Sequence, residues 1–124
     1  MAIPSGSGTE VLKYSSRVGT AASTNNFILI NGVANHIYTI LSIIITEIDG
    51  ATDAVFQLTL NSAGSGNTTA DTYLYKDLAV GAKGVFVWND KFVFSGDLEL
   101  CIRETGGSSG NFDVHCSYID QDWS

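Results

Sequence analysis

The chain is built from short runs of β-branched and aromatic residues, each closed by Gly, Asn, Asp or Ser. Nine such runs stand out: 10–18, 25–31, 36–48, 54–61, 72–77, 84–89, 91–95, 97–104 and 111–120. Side chains of an extended strand alternate between two faces, whereas those of a helix return about every 3.6 residues. No stretch carries a helical apolar period with capping residues at its ends. The single proline, Pro4, precedes every run and interrupts none. Many short strands at this spacing predict an all-β, single-domain antiparallel β-sandwich.

The length of 124 residues suits one domain. Residues 10–124 read as the sandwich. Residues 1–9 read as a flexible, glycine-rich arm whose apolar anchor is Ile3-Pro4. Hydrophobic residues make up 44%, enough for one core, which argues against disorder. Only 15% are charged, and Gly, Ser, Thr and Asn fill the difference. A surface of hydroxyls and amides is easier to bury in an interface than one rich in lysine.

Alternation assigns faces. In 54–61, Phe56, Leu58 and Leu60 point one way and Gln57 and Thr59 the other, as in a strand with one solvated side. The run 36–48 is apolar on both faces. Strict alternation puts Ile40, Ile44 and Ile48 together, and Ile37, Leu41, Ile43 and Ile45 opposite. Such a strand needs cover on both sides, supplied by a loop of the same chain or by another subunit. Ile37, Leu41 and Ile43 are therefore expected at a subunit interface, along with Ile3, Pro4 and the terminal Trp123. Asn31-Gly32 and Ser95-Gly96-Asp97 read as hairpin turns, because Gly and Asn tolerate positive φ. Ala63–Thr69 and Gly106–Gly110 read as flexible loops.

Charge and composition exclude several function classes. The net charge is −7, and the six basic residues stand singly at Lys13, Arg17, Lys76, Lys83, Lys91 and Arg103. Direct nucleic-acid binding needs clustered cations to displace counterions, and an anionic membrane needs the same, so neither partner is expected. The N-terminus has neither a basic leader nor an apolar run, so no signal peptide is read there. The apolar stretch from Ile37 to Ile48 is too short and too polar to span a bilayer. Cys101 and Cys116 fall on opposite sides if both apolar faces meet one core, so free thiols are expected.

No catalytic constellation emerges, and the chain is read as a non-enzyme without cofactor or metal. His36 and His115 are the only near-neutral bases. His115 shares an inferred face with Cys101. That pair could be a nucleophile or half a metal site, but a zinc site wants three or four ligands. The run Glu47-Ile48-Asp49-Gly50-Ala51-Thr52-Asp53 is acidic, yet lacks the alternate oxygen ligands of a calcium loop and reads as a solvated turn. Trp88 alternates with Phe86 and belongs to the core. Tyr73 and Tyr75 share a face by alternation and could stack on a sugar.

One set of segments carries a resemblance: Ile40-Leu41-Ser42-Ile43-Ile44-Ile45, Tyr73-Leu74-Tyr75-Lys76-Asp77, Val85-Phe86-Val87-Trp88, Phe92–Leu100 with its Ser95-Gly96-Asp97, and Phe112–Tyr118, after an opening Ile3–Leu12. These resemble the small structural proteins of tailed bacteriophage particles over most of the chain. The resemblance implies a jelly-roll-like sandwich located in a virion and made in the host bacterial cytoplasm. It implies capsid decoration or cement, with the major capsid protein or other virion proteins as partners and a trimer or dimer as the unit. The alternative is a tail-fibre or receptor-binding module that takes glycans. The resemblance brings no catalytic residues.

Overall fold

The computed structural model describes residues 8–20, 27–64, 72–105 and 112–124. All nine expected runs are strands: β1 (Thr9–Thr20), β2 (Phe27–Ile30), β3 (His36–Glu47), β4 (Ala54–Ser62), β5 (Thr72–Val80), β6 (Val85–Trp88), β7 (Phe92–Ser95), β8 (Leu98–Glu104) and β9 (Phe112–Asp122). The arm through residue 7, residues 65–69 of the first expected loop and the whole of 106–110 lie outside the described residues. Thr9, expected in the arm, instead opens β1.

The strands form two antiparallel sheets. One has the order β1-β9-β3-β6, with β7 also on β3; the other has the order β2-β8-β4-β5. β7 pairs with Ile37–Ile40 and β6 with Ile43–Thr46, so the two act as halves of one interrupted strand along β3. Counted that way, eight strands in two sheets make a jelly roll.

Apolar side chains from both sheets meet between them. Phe56, Leu58, Leu100 and Ile102 come from one sheet, and Ile40, Ile43, Ile45 and Phe112 from the other, all fully buried. Burying each such side chain contributes about 1.5–3 kcal/mol. Aromatic rings extend the core toward β6: Phe56 to Phe86 at 5.4 Å, Phe86 to Tyr75 at 5.2 Å and Tyr75 to Trp88 at 5.2 Å between centroids. The last two are edge-to-face, the arrangement the ring quadrupole favours. Trp88 thus closes the core as expected.

β3 departs from strict alternation. Its register on β9 shifts between Ile40 and Ser42, and Leu41 is the extra residue of a β-bulge. Before the bulge Tyr38 and Ile40 face the core; after it Ile43 and Ile45 do. The expected grouping of Ile40 with Ile44 is therefore corrected. Ile40 is inside, and Ile44, across from His115, is outside.

Asn31-Gly32 and Ser95-Gly96-Asp97 are not hairpin turns. β2 and β3 belong to different sheets, as do β7 and β8, so both segments carry the chain across the sandwich. The two crossings touch. A Cβ on Gly96 would sit 1.6 Å from the Val33 carbonyl oxygen, and one on Gly32 would sit 2.0 Å from that of Leu98. The Gly96 amide donates to the His36 carbonyl at 2.8 Å across this corner. Glycine is required here for backbone approach and not for turn geometry.

Both cysteines are free and buried. Cys116 faces the core from β9, while Cys101 lies on the far side of β8 from Leu100 and Ile102. They sit in different sheets as well as on different sides.

Gly96→Ala should lose about 3 kcal/mol of stability in urea unfolding, because backbone must move to admit the methyl group. Gly64→Ala, at φ 73° but facing open space, should lose only about 1 kcal/mol.

Candidate docking face

Most of the exposed large apolar side chains among the described residues lie on the outer surface of the β1-β9-β3 sheet, extended by β6 and β7. Register places them in rows across the strands. Val87, Ile44, His115 and Ser16 form one row; Val93, Thr39, Ile119 and Leu12 form another. Tyr14, Ser117 and Ser42 lie between them. Leu12 is 71% exposed and Tyr14 73%, and Val85, Val87 and Val93 are also exposed. The sheet's inner face needs apolar residues for the core, but nothing inside the subunit requires them outside. Several large apolar side chains exposed together on one face make it a candidate interaction site.

Two grooves run along this face. One, of about 520 Å³, is lined by Leu12, Lys13, Tyr14, Leu41, Ser42, His115 and Ser117. The other, of about 210 Å³, is lined by Val18, Ile44, Thr46, Asp113 and His115 among others. His115 separates them. Its Nδ1 lies 2.6 Å from Ser16 Oγ, and its ring stacks on Tyr14 with centroids 5.4 Å apart. These contacts hold the imidazole flat on the sheet and make it part of a surface.

The expected interface residues are scattered. Leu41, at the bulge, lines the larger groove. Ile37 is on the same outer face but only 6% exposed, flanked by Ser95 and Gln121. Ile43 is fully buried and belongs to the subunit's own core, because the bulge reverses its face. Trp123 lies against Gly8 of its own chain, where a Cβ would meet the ring at 2.9 Å, and its amide donates to the Asn35 carbonyl at 2.9 Å. Ile3 and Pro4 lie outside the described residues. The exposed valines and Tyr14 were missed. Their signal was available in the second apolar face of each short run, but a single apolar residue between polar ones reads as noise.

Catalytic and metal readings gain nothing. His115 and Cys101, placed together by alternation, are on different sheets. Burial pushes both thiols up to about 12, Cys116 by desolvation alone and Cys101 with help from Glu99. Among the described residues no three His, Cys, Asp or Glu gather as a metal site. No helix among them is long and apolar enough to cross a membrane.

The acidic run is also spent within the fold. Glu47 is not solvated but buried, and its carboxylate accepts three backbone amides: Asp49 at 2.5 Å, Gly50 at 2.9 Å and Lys83 at 2.7 Å. It ties the turn after β3 to the turn before β6. Asp49 accepts the Thr52 hydroxyl and Asp53 the Ala82 amide. Tyr73 and Tyr75 do not share a face. Register slips between Leu58 and Thr59 opposite them, so Tyr75 enters the core and Tyr73 stays out beneath the Lys76 ammonium.

At the open end of the same sheet, Asp120 accepts Lys13 Nζ at 2.7 Å and pairs with His36 Nδ1 at 2.7 Å. The bond to Asp120 holds the Lys13 pKa above its ordinary value. This cluster fastens β1 to β9 and β3 from the inner side, where β1 has little apolar cover.

No protein-family model and no curated protein matches the chain. Among solved structures it is similar to a chain of Bacillus endospore appendages, described as a novel family of disulfide-linked pili. The two are 16% identical with a TM-score of 0.55, over 100% of this chain and 97% of that one. Weaker likenesses are to a cyanophage capsid asymmetric unit (18% identical, TM-score 0.42, 98% of this chain and 92% of that one) and to infectious bursal disease virus strain Gx (13% identical, TM-score 0.46, 97% and 32%). The first likeness is one of fold, and the other two scores are too low to bear on this chain.

The amides on Glu47 hold its pKa below the ordinary 4.5, the Lys83 amide contributing most. As pH falls the unfolded chain takes up this proton first, so the stabilisation is present above about 4.5 and is lost through the lower folded value. Glu47→Gln should be less stable at neutral pH and show a flatter acid limb in urea unfolding from pH 6 down to pH 3, values chosen to lie roughly either side of the carboxylate range. Added calcium should leave the melting temperature of the native chain unchanged.

Proposed function

We propose that this chain is a structural subunit of a multicopy particle, a virion decoration or cement protein that docks through the outer face of its β1-β9-β3 sheet. The uncovered rows of Leu12, Tyr14, Ile44, Val87 and Val93 on a rigid sandwich carry the reading. A sheet face with exposed apolar residues among polar ones and two open grooves suits a protein neighbour better than a small substrate, which needs a deep concave pocket. The sequence resemblance to tailed-phage structural proteins supports the virion setting. Many identical weak contacts on a symmetric shell add through multivalency, so each need not be strong.

The fold likeness to a pilus protein supports assembly in general terms. Disulfide linkage does not carry over to this chain, because Cys101 and Cys116 are buried with thiols raised to about 12. The assembly proposed here is therefore a non-covalent one. The glycan-binding alternative loses its proposed platform, since Tyr75 is committed to Phe56, Phe86 and Trp88.

Purified protein added to emptied shells of the phage that encodes it should bind with fixed stoichiometry. Ile44→Lys with Val87→Lys should weaken that binding by roughly tenfold or more without unfolding the sandwich. Shells that take up no protein, or a double variant that binds as well as the native chain, would contradict the proposal.

A further inference from the structure

The two sheets leave four edges, and three are unsuited to further pairing. β6 and β7 are four residues each, separated by a turn. β2 is four residues with a register break. β5 breaks register twice against β4 and turns at Asp77 with φ 54°. Bulges, short length and edge charges are how folded proteins blunt such edges.

β1 is the least blunted of the four: it is 12 residues long and breaks register on β9 only past Arg17. Thr9 to Arg17 keep unbroken register on β9, and among the described residues β1 pairs with no other strand. It contains no proline. Its three charges are engaged within the subunit. Lys13 reaches Asp120 at 2.7 Å, Arg17 lies 5.7 Å over the Phe27 ring, and Glu10 accepts from Gln121 at 2.5 Å. What the edge presents is Leu12, Tyr14 and Val18, the last 83% exposed.

We propose that the free edge of β1 pairs antiparallel with β1 of a second copy of this chain, about a twofold axis through Tyr14 and normal to the sheet. The proposal rests on the assembly reading above and names one of its partners. Charge favours a second copy at this place. The chain carries −7 overall, but β1 holds one acid and two bases, +1 net, so this edge lacks the acidic excess that would hold two copies apart. Charge also selects the register. Opposite residues of a pair share a face, so registers that keep both docking faces on one side differ by whole two-residue steps. Centring on Tyr14 sets Leu12 beside the second copy's Ser16, Lys13 beside its Ser15, Val11 beside its Arg17 and Glu10 beside its Val18. The neighbouring step in one direction sets Lys13 against Lys13, and in the other Lys13 against Arg17. Like charges directly opposite are destabilising, so the Tyr14-centred pairing is favoured over both neighbours, and registers shifted further shorten the ladder or run past Arg17, where β1 breaks register on β9. The ladder from residue 10 to 18 would be about 30 Å long. It would join the two docking faces into one continuous surface.

Sedimentation velocity on the full chain tests this. The native protein should dimerise in the micromolar range. Tyr14→Lys and Tyr14→Glu should each weaken dimerisation by roughly tenfold or more while melting like the native chain. An equimolar mixture of the two should recover dimer, because opposite charges then meet at the axis. In the native protein, amide exchange across residues 10–18 should slow as concentration rises. A native chain that stays monomeric to about 100 µM, a dimer unaffected by both variants, or a mixture no better than either alone would overturn the pairing. A dimer lost on removing residues 1–7 but indifferent to Tyr14 would assign the contact to that segment and overturn it too. Shell binding through Ile44 and Val87 is a separate readout, so the two proposals fail separately.

Discussion

The single extra residue at Leu41 decides how this molecule divides inside from outside. β3 is the central strand of its sheet, with β9 on one side and β6 and β7 on the other. Five isoleucines between residues 37 and 45 cannot all face the core. The bulge turns Ile40, Ile43 and Ile45 inward and leaves Ile44 outside with His115 and Val87. It also explains why β3 is met by two short strands and not one. A bulged strand bends and twists, so a single straight partner cannot follow it along its whole length.

The two outer faces of the sandwich then differ in kind. On the β2-β8-β4-β5 sheet the outward residues Thr59, Asn61, Glu99 and Cys101 are buried, and the Gly64 amide donates to the Glu99 carboxylate at 3.3 Å. That side is polar and engaged. On the β1-β9-β3 sheet the outward side carries exposed apolar residues, Leu12, Tyr14, Ile44 and Val87 among them, interleaved with Ser16, Ser42, His115 and Ser117. β1 extends this asymmetry, because it is held through the Lys13–Asp120–His36 cluster and backbone pairing, with little of its own side-chain surface in the core. The proposed docking face and the proposed edge pairing both lie on this one side of the sandwich.

Much of this was legible in the sequence. Every strand could be read from β-branched runs and their closing residues, because alternation reports burial directly. The core positions Phe56, Leu58 and Leu60 followed from the same rule. What alternation cannot report is an interruption of itself. Leu41 looks like any other residue of an apolar run, so Ile43 was assigned to an interface and is core. The slip opposite Tyr73 and Tyr75 likewise separated two residues that counting placed together. Gly32 and Gly96 carried a turn signal, but sequence gives no sign that two distant crossings touch. Glu47 looked solvated because its three donors are backbone amides, one of them from a turn far along the chain. The docking face was foreseen only in outline, as a second apolar side of β3. Besides Leu41 and Ile44 of β3 itself, the members of the proposed face come from four other strands whose order in the sheet no local pattern reveals.

Hydroxyl-radical footprinting of the chain, free and in the assembled particle, tests the assignment of the docking face most directly. Val87 and Val93, on β6 and β7 away from β1, should be oxidised in the free chain and shielded in the particle, while Tyr73, 47% exposed on the other sheet, should react equally in both. Shielding of Tyr73 with Val87 and Val93 left reactive would place the contact on the opposite sheet and contradict the account.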